Sequence, residues 1–213
     1  MRLDPFYLIV DSADWIDRLI PLGVRLVQLR IKDRSEAEIA AEIRRAKATC
    51  AAHGATLVIN DYWRLAIEEG CDWLHLGQED LAEADLSAIR AAGLKLGLST
   101  HDPAELSTAL SARPDYVALG PVYPTILKAM RWAPQGLERI AEWKAEAGTV
   151  PLVAIGGLTV ERLPGVFAQG ADSAAVVTDI TRNANPERRT LEWIAATQPY
   201  RAKAPHSEPE HHG

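Results

Sequence analysis

The stretch PLVAIGGLTVERLPGVFAQGADSAAVVTDI, residues Pro151 to Ile180, holds the decisive pattern. An apolar run of strand length, PLVAIGG (Pro151 to Gly157), breaks into a polar turn. A helical segment follows, and a second apolar run, SAAVVT (Ser173 to Thr178), completes the unit. Short runs rich in Val and Ile between turn residues read as buried strands. A strand, a helix and another strand in succession imply parallel pairing through a right-handed crossover.

The same rhythm extends back to the N-terminus. The earlier runs are FYLIVD (Phe6 to Asp11), LVQLRIK (Leu26 to Lys32), TLVIND (Thr56 to Asp61), WLHLGQ (Trp73 to Gln78), KLGLST (Lys95 to Thr100) and YVALGPV (Tyr116 to Val122). Between them lie helical patterns, clearest over Ser35 to His53, where Ile39, Ile43, Ala46 and Cys50 recur at three- and four-residue steps. Punctuation agrees: Gly54 and Gly148 close helices, and Asp102-Pro103 and Asn185-Pro186 open them. Eight strand–helix units predict an α/β fold, a single (β/α)8 TIM barrel over residues 1–198, with a doubly wound open sheet as the structural rival. Residues 199–213, PYRAKAPHSEPEHHG, are polar and proline-rich and read as a disordered tail. His206, His211 and His212 in that tail lack a scaffold that would hold a metal.

Composition narrows the function class. The 213 residues are 47% hydrophobic and 24% charged, ordinary values for a globular enzyme-sized domain. A formal net charge of -6 argues against a broad nucleic-acid surface, yet a local cluster of cations can still receive an anionic small molecule. The N-terminal MRLDPFYLIVDSADW flanks its short apolar run with acids and reads as a first strand, not a signal peptide. No run approaches the roughly 20 apolar residues that span a bilayer. Together with Cys50 and Cys71, read as free thiols, this points to a cytoplasmic protein without membrane or nucleic-acid partners. Homo-oligomerisation stays open.

Barrels of this kind carry their chemistry at the C-terminal ends of the strands. Period-two geometry puts Gln28, Arg30 and Lys32 on one face of strand two, opposite Val27, Leu29 and Ile31. With the apolar face against helices, one amide and two cations point into the mouth, suited to a polyphosphate unless acids of the chain neutralise them. Asp61 and Asp80 follow adjacent strands and offer two hard oxygen ligands, a usual arrangement for magnesium shared with substrate phosphates; as isolated residues they read equally as helix caps. Asn60, His75 and Ser99 close strands three to five and carry donors and acceptors. Gly156-Gly157 after strand seven permits close backbone approach, and Val177-Thr178 closes strand eight beside it, the usual place for a barrel's phosphate site. The loop after strand six, GPVYPTILKAMRWAPQG, carries Lys128, Arg131 and Trp132 and reads as a lid.

At these residues the sequence resembles the thiamine-phosphate synthase family. QLRIKD, IND, HLGQED, LSTH, DYVALGPVYPT followed by Lys128, VAIGGLT and AVVTDI look like that family's motifs in order. The resemblance implies an enzyme, a transferase that joins a pyrimidine diphosphate to a thiazole phosphate with magnesium as cofactor and releases pyrophosphate. It places Gln28, Arg30, Lys32, Asn60, Ser99 and Lys128 on the pyrimidine diphosphate and Asp61 and Asp80 on magnesium. His75 and Tyr7 match positions lining the pyrimidine, and Thr125, Gly157, Val177 and Thr178 match positions contacting the thiazole phosphate. Arg30, Lys32, Ser99 and Lys128 carry the expected catalytic role, stabilising the departing pyrophosphate. Three features depart from the pattern: Ile126-Leu127 replaces a second hydroxyl before Lys128, Met130 and Trp132 stand in a usually polar lid, and Asp179 stands where a small neutral residue is usual. The related thiazole tautomerases share this barrel and several of these motifs, and Leu127 and Asp179 support a non-catalytic phosphate-ligand regulator; both stay as alternatives.

Overall fold

A computed structural model describes residues 3–125 and 133–201. Eight parallel strands close in sequence order into a barrel. They are β1 (Phe6–Val10), β2 (Leu26–Leu29), β3 (Thr56–Asn60), β4 (Trp73–Leu76), β5 (Lys95–Thr100), β6 (Tyr116–Leu119), β7 (Leu152–Ile155) and β8 (Ser173–Val176). The α-helices are α1 (Ala13–Leu19), α2 (Glu36–His53), α3 (Trp63–Glu68), α4 (Gln78–Glu83), α5 (Leu86–Ala91), α6 (Pro103–Ser111), α7 (Glu138–Ala147), α8 (Leu163–Ala168), α9 (Thr178–Thr181) and α10 (Pro186–Thr197). The open-sheet alternative falls on the β1–β8 pairing, where Tyr7 registers with Ala175.

Helix ends follow their punctuation. The Ser35 side chain accepts from the Glu38 amide, and Glu38 reciprocates on the Ser35 amide at 2.9 Å, satisfying two donors that open α2. Gly54 ends that helix in a left-handed conformation, φ 65°. Asp102 and Asn185 cap α6 and α10, each with proline in the first helical position.

Alternation along the strands creates two cores. Phe6, Leu8 and Val10 face outward with Val27 and Leu29, packed beneath helical residues such as Ile39, Ile43 and Trp193. Tyr7, Ile9, Leu26, Val58, Trp73 and Tyr116 fill the barrel itself. This lumen is a packed core, so a ligand is confined to its mouth.

Two boundaries differ from expectation. Strand β2 stops at Leu29 and not Lys32, although the Arg30 amide still donates to the Val10 carbonyl at 2.8 Å. The alternation persists past the strand: Ile31 is buried while Arg30 and Lys32 are exposed. Residues 199–201, expected in a disordered tail, are instead docked. Gln198–Tyr200 form a 3-10 turn, Tyr200 stacks on Phe167 at 4.0 Å between ring centroids, and Arg201 donates twice to Asp4, at 3.0 and 3.2 Å. One aromatic and one arginine gave the segment enough to bury against the barrel. The rest of the expected tail, 202–213, lies outside the described residues, as do Ile126 to Trp132 of the expected lid. Cys50 and Cys71 are free and buried. Among the described residues no helix is long and apolar enough to cross a membrane.

Candidate active site

Four neighbouring strands bring polar side chains to the barrel mouth: Gln28 from β2, Asn60 from β3, His75 from β4 and Ser99 from β5. The first three are buried. Their positions follow from register, since Asn60 pairs with His75 and Ser99 with Ala118, all one layer above the apolar lumen.

A continuous hydrogen-bond chain crosses this layer. Gln28 Nε2 donates to the Tyr7 hydroxyl at 2.9 Å, and Tyr7 and Tyr116 share a hydroxyl contact of 2.8 Å. The Tyr116 hydroxyl meets His75 Nδ1 at 2.8 Å, and His75 Nε2 meets Ser99 Oγ at 2.8 Å. Burial holds the His75 pKa down at about 4, so the imidazole is neutral near pH 7, with one donor and one acceptor nitrogen. One ring nitrogen donates and the other accepts, so His75 links the Tyr116 and Ser99 hydroxyls. Gln78 Nε2 anchors the same strand end by donating to the Ser99 carbonyl at 2.7 Å. Asn60 differs: its buried Nδ2 has no hydrogen-bond partner among the described residues, an orphaned donor that calls for an acceptor from a ligand or water.

Charge gathers on the rim above. Lys32 ion-pairs with Asp61, which realises the neutralising reading for that cation. Arg30 has no ion pair among the described residues. It lines a cleft of about 370 Å³ with Asp11, Ser12, Asp14, Lys32 and Arg34. Asp61 sits at φ 64°, a left-handed conformation that aspartate tolerates, with its amide bonded to the His75 carbonyl at 2.9 Å. Asp80, in the first turn of α4, has its pKa raised by burial, by the Asp61 charge and by a hydrogen bond with Asp61. Two carboxylates in contact repel, and a hard divalent cation is the natural relief. Among the described residues no three His, Cys, Asp or Glu side chains cluster as metal ligands, so a cation here would draw its remaining oxygens from substrate and water.

The opposite rim is built from the turns after β7 and β8. Gly157 has φ 63°, and a Cβ there would lie 2.4 Å from the Pro124 carbonyl oxygen, so only glycine lets this turn reach the β6 loop. Val177 and Thr178 follow β8 and open α9. Asp179 turns away from the mouth: Arg189 Nε and Nη2 donate to its two oxygens at 2.8 and 3.1 Å, and Trp193 Nε1 donates at 2.7 Å. That orientation removes one of the two features behind the non-catalytic reading.

The model of the family described as thiamine monophosphate synthase matches residues 6–180. The chain belongs to that family. The thiamine-phosphate synthase of Rhizobium etli is 73% identical over 202 residues, covering 95% of this chain and 99% of that protein. The enzyme of the same name from Escherichia coli strain K12 is 53% identical over 188 residues, covering 88% of this chain and 89% of its own. Among solved structures, a thiamine phosphate pyrophosphorylase from Pyrococcus furiosus superposes with a TM-score of 0.82 at 22% identity, covering 92% and 96% of the two chains. A 3-hexulose-6-phosphate synthase shares the barrel with a TM-score of 0.66 at 17% identity, over 92% of this chain and 99% of its own.

Within this member of the thiamine monophosphate synthase family, the expected site residues separate into two groups around one mouth. Tyr7, Gln28, His75 and Ser99 form the floor with Asn60, and Arg30, Lys32, Asp61 and Asp80 form one rim. Gly157, Val177 and Thr178 belong to the turns that make the other rim, and Thr125 follows the Pro124 that Gly157 abuts. Lys128 lies outside the described residues. Sequence reading missed Tyr116 and Gln78. Tyr116 opens β6 inside an apolar run, and only its inward parity with Ala118 could have marked it.

Proposed function

We propose that the chain condenses an aminopyrimidine diphosphate with a thiazole phosphate, giving thiamine phosphate and pyrophosphate. The carbon–oxygen bond between the pyrimidine methylene and the diphosphate breaks, and a bond from that carbon to the thiazole nitrogen forms. The electron-rich aminopyrimidine supports the positive charge left on the methylene as pyrophosphate departs, so no protein nucleophile is required. The observation that carries this reading is the rim itself: Arg30, with no ion pair among the described residues, beside Lys32 and facing the Asp61–Asp80 carboxylates on the next two strand ends.

Each residue then has a task. Arg30 and Lys32, with Lys128 assigned from the resemblance, neutralise charge growing on the leaving group. Ser99 offers its hydroxyl proton to the diphosphate, and Asn60 Nδ2 finds there the acceptor it lacks. Tyr7 and His75 form the surface under the pyrimidine. Asp61 and Asp80 would hold magnesium, which would supply Lewis-acid stabilisation of the leaving oxygens. Gly157, Val177, Thr178 and Thr125 receive the thiazole monophosphate on the far rim, placing its nitrogen across the mouth from the diphosphate. A pyrophosphate-release assay tests the proposal. Release should need both substrates and magnesium, and a chain that releases none under those conditions overturns it.

A further inference from the structure

The far rim has a feature that the reaction does not call for. Arg189, on α10, is largely buried and holds three acids at once. It takes both oxygens of Asp179 at 2.8 and 3.1 Å, both oxygens of Glu161 at distances from 3.0 to 3.2 Å, and Glu192 at 2.8 Å. Glu192 is on its own helix, but the other two acids are not. Glu161 lies in the 3-10 turn Val160–Arg162, four residues after Gly157. Asp179 lies in α9, directly after Thr178. One guanidinium therefore ties together the turn after β7 and the turn after β8.

Both ties reach the rim residues. Beside Glu161, Arg162 donates to the Gly157 carbonyl and stacks over the Tyr123 ring at 4.2 Å. The Tyr123 amide in turn donates to the Gly156 carbonyl at 3.0 Å. On the other side Asp179 is held from below by Trp193, a fully buried ring that stacks on Phe6 of β1 at 5.5 Å. Arginine suits this position because a planar fork can serve two carboxylates, which a lysine ammonium cannot do with the same geometry. Asp179 also gives the clamp an electrostatic purpose. A carboxylate next to Thr178 would oppose a phosphate, and the guanidinium both neutralises it and turns it away.

We propose that Arg189 is a positioning residue for the phosphate of the second substrate, holding the two phosphate-side turns in register and keeping the Asp179 carboxylate out of the site. The inference rests on the synthase reading for the identity of that substrate. Arg189 itself touches neither substrate. Its effect should therefore be confined to one half of the mouth, unlike that of a residue needed only for folding.

The test combines calorimetric binding of thiazole phosphate with steady-state pyrophosphate release. In Arg189→Ala the Kd and KM for thiazole phosphate should rise about tenfold or more, while the KM for the pyrimidine diphosphate moves by less than about twofold. Adding Asp179→Asn to Arg189→Ala should bring thiazole phosphate binding back to within about threefold of wild type, because the released carboxylate is gone. Arg189→Lys keeps the charge without the fork and should fall between, which serves if the alanine variant does not fold. Unchanged thiazole phosphate binding in Arg189→Ala or Arg189→Lys overturns the clamp, as does a parallel rise for both substrates or a double variant no better than the single one. A wild-type chain that binds thiazole phosphate yet releases no pyrophosphate overturns the synthase reading and leaves the binding comparison to decide the clamp. A wild-type chain that does not bind it overturns both.

Discussion

The Tyr116 hydroxyl lies 2.8 Å from His75 Nδ1, and the two rings stack with centroids 5.6 Å apart. Tyr116 also closes the link to Tyr7. Tyr116→Phe keeps the ring stack but leaves Nδ1 and the Tyr7 hydroxyl without their shared partner. The expected cost is about 1–3 kcal/mol of stability, the usual penalty for stranding buried polar groups. Chemical denaturation measures it directly, and a loss under about 0.5 kcal/mol would mean that water replaces the hydroxyl at no cost.

Gly97, on β5, makes room for the same ring. A Cβ there would lie 2.0 Å from Tyr116 Cζ and 2.4 Å from its hydroxyl oxygen. Gly97→Ala should displace Tyr116, break the chain between Tyr7 and His75, and cost at least about 1–3 kcal/mol, the range for overpacking. Combined with Tyr116→Leu, which empties the space, the alanine should cost clearly less than it does alone. Additive costs in the double-mutant cycle would show that the two positions do not collide.

His75 predicts an acid-sensitive fold. Its folded pKa of about 4 lies below the ordinary value of 6.5, so between those values the unfolded chain binds the extra proton. This contribution is complete above pH 6.5 and is lost as pH falls toward 4, after which it levels off. The shift corresponds to roughly 3 kcal/mol at most. Stability of the metal-free protein, measured from pH 7 down to about 4, should therefore fall more steeply in wild type than in His75→Gln. Parallel slopes would remove His75 as the source.

Asp61→Ala and Asp80→Ala test the metal assignment separately from the fold. Each should lower magnesium-dependent turnover by about a hundredfold or more, since several kcal/mol of leaving-group stabilisation are at stake. Asp80→Ala, which only relieves the carboxylate contact, should leave the melting temperature the same or higher, whereas Asp61→Ala also puts alanine at φ 64° and removes the Lys32 ion pair and should melt slightly lower. Wild-type magnesium dependence in both variants would rule out these ligands.

The barrel's C-terminal boundary is open to a truncation pair. A chain ending at Arg201 keeps the Tyr200–Phe167 stack and the Arg201–Asp4 ion pair, and it should melt like the full chain. A chain ending at Gln198 loses both and should be less stable by about 1–3 kcal/mol. Equal melting temperatures for the two truncations would show that the docked turn contributes nothing.

Much of this protein was legible from local pattern. Strand-length apolar runs, alternation within them and turn residues between them are short-range properties, and a parallel crossover has essentially one handedness. That is why eight strands in order already implied the barrel, with Gln28 placed at its mouth by parity and Asn60, His75 and Ser99 by closing their strands. The family's motifs fall on those same strand ends for the same reason. Other features depend on which residues meet across the closed barrel, and sequence spacing does not carry that information. Tyr116 reads as one more apolar-run aromatic until closure brings it, 109 residues from Tyr7 and 41 from His75, between the two. Asp179 could have faced the phosphate or left it, and the choice fell to Arg189 and Trp193 on a helix packed behind the strand. The docking of Tyr200 and Arg201 was likewise hidden, because Phe167 and Asp4 become their neighbours only when first and last strands pair.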